Sequence, residues 1–163
     1  MRDQQIDRGK EWLETLLELM GISTEVTIGE DIIETSEPSS CWLIIDHTHL
    51  GPEQTEILVG YRGEGIDAIQ YLANTVLNLG TEFEEQQAFT IEINSYRLKR
   101  QAELLAWAKR VADQVRQTGQ EVEMKSLSSA ERRQIHTFLK DAEDLATESR
   151  GQEPDRRLVV RLR

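Results

Sequence analysis

The chain has 163 residues, of which 38% are hydrophobic and 30% charged. That is a globular composition, long enough for one ordinary domain or two small ones and too apolar for a disordered chain. The net charge of −11, taken alone, argues against a nucleic-acid binder.

The elements can be taken in chain order. Residues 8–20 read as a helix, since Trp12, Leu13, Leu16, Leu17, Leu19 and Met20 form a broad apolar face and Gly21 is placed to stop it. Ile22 to Ile33 looks extended, with Val26 and Ile28 alternating with Thr27 and Gly29. Residues 34–40, with Ser36, Pro38, Ser39 and Ser40, read as a turn, and Cys41 to His47 as a second strand. Gly51-Pro52 opens a short helix carrying Ile57, Leu58 and Val59. It breaks at Gly60-Tyr61-Arg62-Gly63. A longer helix then presents Ile66, Ile69, Leu72, Ala73, Val76 and Leu77 on one face and ends at Gly80. Phe89 to Ile93 alternates as a third strand.

Asn94 or Ser95 can cap a long helix running to about Thr118, with Leu98, Ala102, Leu105, Ala108, Ala112 and Val115 on its buried side and Gly119 as its stop. Glu121 to Met124 reads as a short strand. Ser128-Ser129-Ala130-Glu131 is a capping box, opening a helix with Arg132, Arg133, Ile135, His136 and Leu139. Leu145 to Glu148, a turn through Gly151 and Pro154, and a final strand Leu158-Val159-Val160 close the chain. The expected class is α+β, in two small domains, 1–95 and 96–163.

Charge divides at the same place. Residues 1–96 carry 4 Lys/Arg against 19 Asp/Glu; residues 97–163 carry 15 against 11. A phosphate ligand is therefore attracted mainly to the second half. The single cysteine, Cys41, has no partner for an internal disulfide, which fits a reducing, cytoplasmic setting. No apolar run approaches the ~20 residues of a membrane span, and the N-terminus lacks the pattern of a signal peptide.

Two motifs carry a resemblance. Gly60-Tyr61-Arg62-Gly63, between two helices and after two strands, resembles the GxxG loop of a KH domain, and the surrounding order α-β-β-α-α-β resembles the type II arrangement. Arg132 and His136 have the spacing of an Arg-x-x-x-His (RxxxH) domain, followed by a similar closing turn in residues 147–157. The two in this order resemble the Jag (SpoIIIJ-associated) family of RNA-binding regulators, here as a short form without the extra N-terminal domain of many members. The middle pair of the loop, commonly basic in KH domains, is Tyr61 and Arg62 here.

The resemblance implies single-stranded RNA as ligand, a role in post-transcriptional regulation and no catalytic activity. Glycines let a nucleic-acid backbone approach closely, the next helix offers its amides to phosphate, Arg62 adds a charge, and Tyr61 can stack on a base. The alternative is a tight turn with no ligand. On the second motif, Arg132 can bind phosphate bidentately and His136 can donate a hydrogen bond, with Arg133, Arg156, Arg157 and Arg161 as supporting charges. The alternative there is a solvated helix face.

The expected RNA-binding set is thus Gly60, Tyr61, Arg62, Gly63, Arg132, Arg133 and His136. Single-stranded DNA and another KH protein are further candidate partners, and protein interaction through the acidic half is the rival function. His47, His49, Asp46 and Cys41 fall short of a metal set, so no metal or cofactor is expected. Nucleotide-binding loops, a Gly-x-Ser-x-Gly elbow and a paired-carboxylate setting are all missing from the sequence.

Overall fold

The computed structural model describes residues 2–29 and 40–163. The expected turn at 34–40 lies, apart from Ser40, outside the described residues, as does the end of the extended stretch before it. The chain is α+β and divides into two compact units, Met1–Leu98 and Lys99–Arg163. Among the described residues no helix is long and apolar enough to cross a membrane.

The first unit runs α1 (Arg2–Leu19), β1 (Val26–Gly29), β2 (Cys41–Ile45), α2 (Pro52–Val59), a 3-10 turn (Tyr61–Gly63), α3 (Glu64–Leu77) and β3 (Phe89–Ile93). Helix α1 starts six residues earlier than its apolar face predicts, because its first turns are polar and exposed. It ends as expected at Gly21, whose φ is +77°. There the N–H groups of Gly21 and Ile22 donate to the carbonyls of Glu18 and Leu17, both at 2.9 Å, in a Schellman arrangement. The strands lie in the order β1-β2-β3, β1 antiparallel and β3 parallel to the central β2. Leu13, Leu17, Val26, Leu43, Ile45, Leu58, Ile66, Ile69, Ala73, Ile91 and Ile93 fill the core between sheet and helices. Leu72 and Val76, expected on the buried face of α3, are instead exposed. That face centres on Ile66, Ile69, Ala73 and Leu77.

Among the described residues the outward edge of β3 has no neighbouring strand, yet its backbone is bonded. Three amide side chains spaced four apart, Gln70 and Asn74 on α3 and Asn78 at its C-cap, take the place of a strand. The Gln70 Oε1 accepts from Ile91 N–H at 3.0 Å. Asn74 accepts from Phe89 N–H at 2.9 Å and donates to Phe89 O at 2.8 Å. Asn78 does the same for Gln87, at 3.0 and 2.9 Å. Arg97 Nε donates to Ile91 O at 2.8 Å.

The second unit contains most of α4 (Tyr96–Thr118), then β4 (Val122–Met124), α5 (Ser129–Leu139), β5 (Leu145–Arg150) and β6 (Arg157–Leu162). Its sheet is antiparallel, in the order β4-β6-β5. The buried side of α4 is Leu104, Ala108, Val111, Ala112 and Val115. This corrects the expected stripe, since Leu98 is 47% exposed and Ala102 is also exposed. Leu104 and Leu105 fit a helical period equally well, and packing against Met124, Ile135, Leu158 and Val160 selects Leu104.

The start of α4 has a feature the sequence did not announce. Asn94 and Ser95 have φ of +50° and +53°, and the carboxylate of buried Glu92 accepts the N–H of Arg97 at 3.1 Å. A carboxylate at a helix N-terminus faces the positive end of the dipole, so burial is compensated.

Alternation splits the second sheet chemically. Leu145, Thr147 and Ser149 share the helix side with Leu158 and Val160, which pack in the core. On the other side Arg150 is bonded to Glu121 and Glu148, Arg157 pairs with Glu123 at 3.0 Å, and Arg161 with Glu148 at 3.8 Å. Hydrogen bonds from Arg150 hold the Glu121 carboxyl below its ordinary pKa.

Candidate nucleic-acid interfaces

The glycine loop is shaped by its backbone. Gly60 and Gly63 have φ of +70° and +84°, and Arg62 between them is also left-handed, at +52°. A Cβ on Gly60 would stand 2.6 Å from Gly65 N, and one on Gly65 would stand 2.7 Å from Leu58 O. Helices α2 and α3 therefore meet too closely here for side chains. A Cβ on Gly63 would lie 2.7–2.8 Å from ring carbons of Tyr96. So packing alone requires these glycines.

Tyr61 is 70% exposed and Arg62 is exposed beside it, the guanidinium 5.1 Å from the Tyr61 ring centroid. The pair presents one flat, cationic surface at the loop tip. Glu64 and Asp67 lie in the first turn of α3, and Asp67 is paired with Arg97 at 3.0 Å. These carboxylates oppose the dipole's attraction for an anion, which leaves Arg62 as the loop's own cation.

Beside Gly60 opens a groove of about 520 Å³ lined by His47, Leu50, Thr55, Glu56, Val59 and Asn94 among others. His47 thus belongs to this groove. Asp46 nearby accepts from the hydroxyl and the N–H of Thr48, at 2.7 and 2.9 Å, which holds its carboxyl below the ordinary range. Cys41 is buried in β2.

The second candidate site is built on α5. The expected capping box is formed: Ser128 N–H donates to Glu131 Oε2 at 2.9 Å, and Glu131 N–H donates to Ser128 Oγ at 3.2 Å. Arg100 braces Glu131 at 2.8 Å. This fixes the start of a helix whose next turn carries Arg132, Arg133 and His136. Those three side chains converge with Ser129, Thr147, Ser149, Glu153 and Arg156 around an open groove of about 470 Å³. The Nδ1 of His136 is hydrogen-bonded to Thr147 Oγ1, which orients the ring across the gap between helix and sheet.

The four predicted supporting arginines separate. Arg133 and Arg156 are exposed at the groove, while Arg157 and Arg161 stand on the far face of the sheet in ion pairs with glutamates. Strand parity puts Arg157 and Arg161 on one side of β6, while Arg133 belongs to α5 and Arg156 to the turn before the strand, so the boundary of β6 was needed to separate them.

Arg132 and His136 do share one helix face, yet not one environment. His136 is exposed, whereas Arg132 is only 5% exposed. Its Nη1 donates to Leu127 O at 2.8 Å and to Arg156 O at 3.3 Å, and its Nη2 is paired with Glu153. A solvated face was one expectation for this helix; Arg132 has left it for the protein interior.

Comparison with known proteins adds relatives to this geometry. The chain is similar to the RNA-binding protein KhpB of Clostridium symbiosum, 27% identical over 157 residues, covering 96% of this chain and 66% of that one. Its likeness to the RNA-binding protein KhpB of Bacillus subtilis strain 168 is 28% over 157 residues, covering 95% and 69%. To that of Lactiplantibacillus plantarum it is 32% over 107 residues, covering 66% and 33%. The chain thus spans about two thirds of the length of the first two relatives and one third of the third. Residues 102–162 match the family model of the Arg-x-x-x-His (RxxxH) domain, a span that holds α5, the closing turn and every side chain lining the second groove.

Proposed function

We propose that this chain is an RNA-binding protein of the cytoplasm that acts in post-transcriptional regulation, taking single-stranded RNA at two sites. The first is the loop Gly60, Tyr61, Arg62 and Gly63 of a type II KH domain, residues 1–95. The second is the groove of an RxxxH domain, residues 96–163, with Arg132, Arg133 and His136. The observation that carries this reading is the convergence of arginines, an imidazole and three hydroxyls on one open groove in the more basic part of the chain. Such a set offers charge and hydrogen bonds to phosphate and sugar but few flat surfaces for reading bases. Selectivity then comes from joint use of both sites. The order α-β-β-α-α-β with the glycine loop between α2 and α3 supports the KH assignment, and the names of the relatives support RNA as ligand.

Filter binding with single-stranded RNA, single-stranded DNA and duplex tests the reading; preference for RNA over both others is expected. With three or four phosphate contacts, log affinity falls with log salt at ~0.7 per contact, so raising salt from ~50 to ~200 mM weakens binding roughly 20–50-fold. A flat salt response would overturn the phosphate model. At the loop, replacing both Tyr61 and Arg62 by Asp is expected to cost about 1–3 kcal/mol of binding and leave the fold intact, since both side chains are exposed. Unchanged affinity would make the loop purely a turn.

A second reading has its own observation. Leu72, Val76, Leu79 and Phe83 are exposed on the acidic unit, and no Lys or Arg lies between Arg62 and Arg97. Such a surface suits a partner protein with basic and apolar character.

A further inference from the structure

Arginine in an anion-binding groove is ordinarily read as a ligand, but in Arg132 both terminal nitrogens already serve protein acceptors. In Arg132 the Nη1 is spent on two backbone carbonyls, Leu127 O before α5 and Arg156 O at the start of β6. The Nη2 is spent on Glu153 in the turn between β5 and β6. The side chain is 6% exposed. A phosphate would have to reach a side chain buried to this degree, with both terminal nitrogens already bonded to protein acceptors, and breaking those bonds would leave Leu127 O without its donor.

The three acceptors have a common meaning. Leu127 immediately precedes the α5 cap, and Glu153 and Arg156 bracket the closing turn. Arg132 thus ties the turn to the helix. The turn carries little internal bonding of its own: Asp155 N–H donates to Gln152 O at 2.9 Å, and Gly151 has a φ of +86°. Arg156, whose carbonyl is held, has its side chain exposed at the groove. No ion pair is formed by Arg133 or Arg156 among the described residues, so both keep their charge available.

Resting on the phosphate reading of the groove given above, we propose that Arg132 is a positioning residue and that Arg156 is the phosphate contact it positions. The phosphate-touching set is Arg133, His136 and Arg156. Arg132, buried, and Glu153, exposed at the rim, act one step behind it, as a pair that fixes the turn. Glu153 on this assignment assists binding. The opposite role, a carboxylate occupying an anion seat on Arg132 until RNA displaces it, makes the opposite prediction.

Salt titrations of binding to a short unstructured RNA, using the full chain and three variants, separate the roles. R156A is expected to reduce the log-log salt slope by ~0.7, one released counterion, and to weaken binding roughly tenfold. R132A is expected to keep the wild-type slope while lowering the melting temperature and the affinity together. E153Q, which keeps the shape and removes the charge, is expected to weaken binding with the slope unchanged. R132A carries a buried cavity, so if it does not fold, R156A and E153Q decide the matter alone. An R156A slope equal to wild type overturns the proposal. So does a loss of ~0.7 in folded R132A, or tighter binding by E153Q. A flat salt response in the unmodified chain is a different failure, that of the phosphate reading itself.

Discussion

Gly63→Ala is expected to destabilise the first unit by roughly 2–4 kcal/mol. Two costs add. A side chain at φ +84° pays about 1–2 kcal/mol for left-handed backbone. The new methyl would also lie 2.7–2.8 Å from ring carbons of Tyr96, and overpacking of this kind typically costs about 1–3 kcal/mol. Gly21→Ala isolates the first cost, because Gly21 has a φ of +77° and nothing within 4 Å of its missing Cβ. Urea denaturation of the whole chain with each substitution is the measurement. Equal losses at the two glycines would mean that the Tyr96 ring yields freely. Loss of RNA binding in a Gly63 variant therefore says nothing about contact between this glycine and RNA, unless stability is measured beside it.

Asn74→Ala should cost about 2–3 kcal/mol although the residue is polar and only half-buried. It removes both bonds to the backbone of Phe89, leaving that N–H and carbonyl without their partners on the edge of the sheet. A second consequence follows: an edge strand with free donors and acceptors is a template for another chain. The variant should show concentration-dependent association by light scattering at protein concentrations where the parent does not. Thr75→Ala, one position along on the exposed face, removes only a hydroxyl bonded to Tyr71 O and serves as control. If Asn74→Ala behaves like Thr75→Ala, water replaces the amide at no cost and the edge is not guarded by it.

These two sites mark what the sequence could and could not tell. The glycine loop, the Ser128–Glu131 box and the stop at Gly21 were legible because local chemistry alone decides them: a positive φ, a reciprocal cap, a helix end. The β3 strand was legible from its alternation. Gln70, Asn74 and Asn78 gave no such signal. Polar residues four apart on a helix look like a solvent-facing stripe until the strand they serve lies beside them. The same holds for Leu98 and Leu104 on α4, where two apolar stripes compete and tertiary packing chooses. In the second groove, the spacing of Arg132 and His136 correctly put both on one face. It could not tell that one of them points inward, because the carbonyls and the carboxylate that draw Arg132 in come from segments 5 to 24 residues away.

The glutamate lattice on the far face of the second sheet has a consequence beyond local pairing. Arg150, Arg157 and Arg161 are each matched by Glu121, Glu123 or Glu148, so that side projects little field. Arg133 and Arg156 at the groove have no such match among the described residues. The two sides of this sheet are therefore electrostatically unequal, the arginines of the far face being matched and Arg133 and Arg156 at the groove not, although Glu148 and Glu153 also line it. A polyanion arriving in dilute salt feels a torque as well as a pull, and turns the correct side toward itself within a Debye length of about 10 Å. Under stronger screening that guidance fades first, before any contact is lost, so the association rate should fall with salt more steeply than the lifetime of the complex once formed.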